Sequence, residues 1–153
     1  MKKRTSLLAA LTLAVGLVAA MTLTLHAAGP EITVYKLATC GCCGKWVEHL
    51  KANGFQATVH EVGSVDEYKE QYGVPKELES CHTAVVDGYT IEGHVPAADI
   101  LRLLKERPAA KGLAVPGMPL GSPGMEASRK DAYDVLLFTE DGKTSVFQHH
   151  PGD

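Results

Sequence analysis

The sequence has no excess of basic charge, no acyl-transfer triad, no phosphate-binding glycine-rich loop and no dinucleotide fingerprint. Fifteen Lys and Arg stand against eighteen Asp and Glu, a net charge of −3, which argues against a nucleic acid partner. No tandem repeat and no linker divides the 153 residues. At 45% hydrophobic and 22% charged, the chain fits neither a disordered tail, nor a collagen-like fibre, nor a multispan membrane protein.

Three of the positive charges, Lys2, Lys3 and Arg4, lie in the first four residues. Without them twelve basic groups face eighteen acidic ones, a balance of −6 that attracts cations rather than polyanions. An uncharged run from Leu7 to Leu25 follows, then small residues before Gly29-Pro30. Residues 1–28 read as an export signal cleaved between Ala27 and Pro30, or alternatively as an uncleaved single-span anchor. Either way residues 30–150 form one exported, periplasmic domain.

All four cysteines, Cys40, Cys42, Cys43 and Cys81, fall in that part. Two structural disulfides are the plain alternative in an oxidising compartment. Three cysteines within four positions argue against it, because neighbours cannot easily staple distant segments. A domain of this size also has enough core not to need staples.

Alternation over Glu31–Tyr35 predicts a strand that runs into Cys40-Gly-Cys-Cys-Gly44. Lys45 to Ala52 reads as a helix with Trp46, Val47 and Leu50 on one face, stopped by Asn53-Gly54. Phe55 to Val62 is a second strand. Ser64 and Glu67 suggest a capping box opening a helix that Gly73 closes. Asp87-Gly88 suits a type I′ hairpin between Thr83–Val86 and Tyr89–Glu92. Pro96 opens a third helix that buries Ile100, Leu101, Leu103 and Leu104. Lys111 to Glu126 reads as a long irregular loop. A second hairpin turns at Asp141-Gly142, and His149 to Asp153 reads as a loose tail. Trp46, Tyr35 and Phe55 read as core, and His49 and His60 as surface or half-buried residues.

The order β-α-β-α-β-β-α, with cysteines where the first strand meets the first helix, resembles the thioredoxin-like fold. The expected fold is therefore α/β, a central mixed sheet with flanking helices and an added C-terminal β-hairpin. Helix N-terminal N–H groups favour a thiolate there, as nucleophile or metal ligand. Cys40 and Cys43 have the spacing of a redox pair, but Cys42 between them departs from thioredoxin. Cys81-His82-Thr83 stands where the cis-proline is expected. The resemblance thereby places Cys81 and His82 across from the Cys40–Cys43 loop.

Cys40-Gly-Cys-Cys-Gly-Lys-Trp46, Ser80-Cys-His-Thr-Ala84, Val86-Asp-Gly-Tyr89, Glu92-Gly-His-Val-Pro-Ala97 and Val115-Pro-Gly-Met-Pro119 occur in this order. Together they resemble the exported CopG-like copper-resistance proteins, over about Ile32 to Phe147. The resemblance implies copper binding, serving copper tolerance, and admits a redox role.

The residues point to a metal independently. After the signal only two methionines remain, Met118 and Met125, each ending a Pro-Gly-Met tripeptide in the irregular loop. Core filler would sit among helices and strands instead. Thiolate with thioether is the soft set preferred by Cu(I). The candidate ligands are Cys40, Cys42, Cys43, Cys81, His82, Met118 and Met125, with His94 as a further candidate, for more than one copper per chain. Metal ions and other periplasmic copper-handling proteins are the expected partners. Two rivals remain: a thiol–disulfide oxidoreductase using Cys40 and Cys43, and a zinc domain, which adjacent Cys42-Cys43 makes awkward.

Overall fold

A computed structural model describes residues 29–153, so the expected signal or anchor over residues 1–28 lies outside the described residues. Strands β1 (Glu31–Leu37), β2 (Gln56–Val62), β3 (His82–Val86), β4 (Tyr89–Glu92), β5 (Gly112–Ala114), β6 (Tyr133–Phe138) and β7 (Thr144–His150) form one sheet. Its order is β2-β1-β3-β4-β5-β6-β7. Pairs β1–β2 and β4–β5 are parallel and the others antiparallel, so the sheet is mixed, as expected. Helices α1 (Gly41–Ala52), α2 (Asp66–Gln71) and α3 (Ala97–Glu106) flank it, with a short 3₁₀ turn at Lys76–Leu78. Among the described residues no helix is long and apolar enough to cross a membrane.

The period-2 pattern of β1 sends Ile32 and Val34 to one face. There they join Ala84, Val86, Ile91, Leu113 and Val135 from neighbouring strands in one core. Trp46, Val47 and Leu50 of α1, and Ile100 and Leu103 of α3, close that core. Burying each large aliphatic side chain contributes about 1.5–3 kcal/mol, enough to fix both helices on this face. The opposite face is smaller, with Val74 and Leu78 packed against Ala114 and Phe138. The β3–β4 turn has positive φ at both Asp87 (46°) and Gly88 (84°), which a type I′ turn requires.

Several expectations need correction. The stretch after Lys111 opens with β5, which bridges β4 and β6. Three residues are too few for a period to show in sequence. The C-terminal segment is not loose as far as His150, because β7 pairs Tyr133 with His150 and Asp134 with His149. Leu101 is 40% exposed, since α3 turns it away from the core. Tyr35 lies on the second face, stacked between Tyr68 and His60 at centroid distances of 4.1 and 5.2 Å. No capping box forms at α2; Ser64 Oγ accepts only from the Asp66 N–H, at 3.1 Å.

Candidate metal centre

The chain leaves β1 through a tight turn in which the Cys40 N–H donates to the Leu37 carbonyl at 3.0 Å. Cys40 is the N-cap of α1 with extended backbone (φ −77°, ψ 91°), so Cys42 and Cys43 occupy the first helical turn. Cys40 and Cys43 are joined as a disulfide, while Cys42 and Cys81 are thiols. Cys42 Sγ lies 3.6 Å from Cys40 Sγ, and Cys43 Sγ lies 3.7 Å from the Cys81 carbonyl. All four sulfurs fall within 4.8 Å of one another. Cys81 therefore stands across from the Cys40–Cys43 loop.

A second constellation shares Cys81. Its Sγ is 3.4 Å from His82 Nδ1 and 3.0 Å from His94 Nε2, and the three donors also lie within 4.8 Å. His94 Nδ1 is 2.7 Å from the Pro123 carbonyl, which can only accept. Nδ1 therefore carries the proton and Nε2 presents its lone pair toward Cys81, the orientation a metal-binding imidazole needs. His82 is fully buried beneath Trp46, at a centroid distance of 4.2 Å, and its Nε2 has no hydrogen-bond partner. The nitrogen that faces Cys81 is Nδ1, so Nδ1 rather than the unpartnered Nε2 would meet an ion held with Cys81 and His94.

Electrostatics keep these donors neutral. Burial, then the neighbouring Cys42, pushes the Cys81 thiol up to about 12. Burial, reinforced by His94 and Lys69, holds His82 well below the usual imidazole range. Burial also lowers His94, against a smaller opposing effect of the Pro123 carbonyl.

The loop after β5 lies on the cluster. Gly124 (φ +88°) sits so close to α1 that a Cβ would come within 2.6 Å of the Cys42 carbonyl. Met125 follows it and is half-buried, whereas Met118 is 51% exposed. Met118 is tied to the site indirectly, because Ser80 Oγ donates to the Gly117 carbonyl at 2.6 Å. Of the other histidines, His49 Nε2 accepts from the Ala97 N–H at 3.1 Å. His150 and His149 pair with Asp99 and Asp134, each at 2.7 Å.

Lys69 and Glu92, buried to 3% and 0% exposure and paired at 2.5 Å, are not legible in the sequence. Lys69 sits in the charged stretch Asp-Glu-Tyr-Lys-Glu-Gln of α2, which carries no signal that one of its charges turns inward. The Pro123 carbonyl was equally illegible, because backbone groups leave no mark in a sequence.

Comparison with curated proteins finds no match. A family model described as "Protein of unknown function, DUF411" matches residues 78–125, which include Cys81, His82, His94 and both methionines. Two solved structures titled "Copper resistance protein copG", Form 1 and Form 2, are similar over 80% of this chain. The first is 52% identical with a TM-score of 0.76, covering 80% of this chain and 98% of that one. The second is 51% identical with a TM-score of 0.77, covering 80% and 99%. Identity at that level over nearly the whole length of both relatives means that this chain belongs to the CopG copper-resistance family.

Proposed function

We propose that the chain is an exported, periplasmic protein that binds Cu(I) through its cysteine cluster in the service of copper tolerance. One observation carries this reading: four cysteine sulfurs share a sphere of 4.8 Å with Cys81 common to a second, histidine-containing group. Soft sulfur donors select Cu(I) over harder divalent ions, and bridging thiolates accommodate more than one ion. Cys40, Cys42, Cys43 and Cys81 would hold the metal, with His82 and His94 beside them and Met125 and Met118 supplied by the loop. Using all four sulfurs requires a dithiol donor to reduce the Cys40–Cys43 bond, passing it two electrons and two protons and leaving as a disulfide itself. Metal capture then displaces protons from the thiols. Other periplasmic copper-handling proteins are the fitting donors or acceptors.

A second reading is favoured by the disulfide itself. A substrate dithiol could attack it and leave oxidised, returning Cys40 and Cys43 as thiols, the reaction of a thiol–disulfide oxidoreductase. Metal analysis of protein from the periplasmic fraction, with a free-thiol count, separates the two. Copper at one or more equivalents with blocked thiols supports the first reading. Metal-free protein holding a readily reducible Cys40–Cys43 disulfide supports the second. N-terminal sequencing of the same sample tests export, with a start between Ala27 and Pro30 expected.

A further inference from the structure

The ladder that holds Cys81 stops short of it. Pairing of β3 with β1 begins at His82, opposite Lys36, and pairing with β4 begins at Thr83, opposite Glu92. Ser80 and Cys81 lie beyond both, where a chain end would ordinarily fray. Here the end is tied by Glu92. Its Oε1 accepts from the Ser80 N–H at 2.5 Å and its Oε2 from the Thr83 hydroxyl at 2.7 Å, so one carboxylate grips both flanks of Cys81-His82. Lys69 Nζ donates to the same carboxylate at 2.5 Å and to Thr83 Oγ1 at 3.3 Å. The next residue adds another tie, since the Gly93 N–H donates to the His82 carbonyl at 3.1 Å.

A buried ion pair is a poor means of stabilising a fold, because desolvation of two charges offsets most of their attraction. An apolar pair of similar volume would fill the space under α2 as well. What the apolar pair cannot do is accept a hydrogen bond from an amide outside the sheet. Ser80 then passes the constraint on, through its hydroxyl, to the Gly117 carbonyl next to Met118.

We propose that Glu92, held by Lys69, is a positioning residue that fixes Cys81 within the sulfur cluster and, through Ser80, the limb of the loop bearing Met118. The functional meaning of that position rests on the copper reading, but the position itself can be tested without metal. In a Cys42→Ser background with the Cys40–Cys43 disulfide intact, Cys81 is the single thiol. Two double variants are compared there, Lys69→Met/Glu92→Met and Lys69→Met/Glu92→Gln. Both lose the ion pair; only the glutamine retains an oxygen for the Ser80 N–H. Alkylation of Cys81 by iodoacetamide in the folded proteins is expected to rise about tenfold with methionine, the ratio that one lost buried hydrogen bond corresponds to. With glutamine it stays within about twofold of the parent. Equal rates in the two double variants overturn the proposal. Should the methionine variant not fold, amide exchange in the unsubstituted protein decides. A Ser80 N–H as slow as the β3–β4 ladder amides upholds the clamp, and exchange at the rate of an unpaired loop amide overturns it. Failure of the unsubstituted chain to take up Cu(I) sinks the copper reading alone, leaving the alkylation result standing.

Discussion

Cys42 gives the loop a property that a simple C-x-x-C pair lacks, because it remains a thiol when Cys40 and Cys43 are joined. Cys42→Ser spares that pair, so copper content per chain should fall while the disulfide still forms. Full copper content in the variant would leave only a redox pair. His82 offers a different test. Its folded-state pKa is depressed chiefly by burial, whereas in the unfolded chain it takes a proton near the ordinary imidazole value of about 6.5. Below pH 6.5 the unfolded state therefore binds more protons, and stability that is present above that pH is lost as pH falls. The slope reaches about 1.4 kcal/mol per pH unit for one such group. Urea unfolding of metal-free protein between pH 7 and 5.5 should show this loss, with a shallower slope for His82→Gln. Matching slopes would assign the loss to His49 and His94, whose shifts have the same direction.

The elements divide by how plainly they are written. Strand β1, helix α1 and the Asp87-Gly88 hairpin carry long periods or a turn dipeptide and are legible, as is the placing of the cysteines at the β1–α1 junction. Strand β5 is not, for Gly112-Leu-Ala114 becomes a strand only because β4 and β6 lie on either side. His94 lies thirteen positions from Cys81, and it takes the register of β3 on β4 to bring them together. The loop over the cluster is legible in composition but not in path. Gly124 marks the path, since a Cβ there would meet the Cys42 carbonyl and the Trp46 N–H of α1. Met118→Leu/Met125→Leu keeps apolar volume and removes both thioethers, so folding should survive within about 1–2 kcal/mol. Cu(I) affinity in a competition titration should nevertheless fall. Unchanged affinity with a large loss of thermal stability would make these two residues loop packing.

At the scale of the molecule, the sheet ends on β2 and β7, and β7 is held to the body by Arg102 of α3. The Arg102 guanidinium lies 3.7 Å from the Phe147 ring centroid and donates to the Phe147 carbonyl and the Gln148 side chain. Arg102→Ala should cost about 1–2 kcal/mol, read as a lower urea midpoint, through the lost cation–π contact and hydrogen bonds. An unchanged midpoint would mean that β7 is held by its ladder and by the His150–Asp99 contact with α3 instead. The cluster, by contrast, draws its donors from places far apart along the chain: residues 40–43, 81–82, 94 and the loop ending at 125. An ion held there by several of them would cross-link the polypeptide as a removable staple. Metal at a hundred times its dissociation constant raises the free energy of opening by about 2.7 kcal/mol, roughly a hundredfold fewer open molecules. Proteases that cut open molecules would clear unloaded copies first, so the abundance of the protein would follow the supply of its metal even at a constant rate of synthesis.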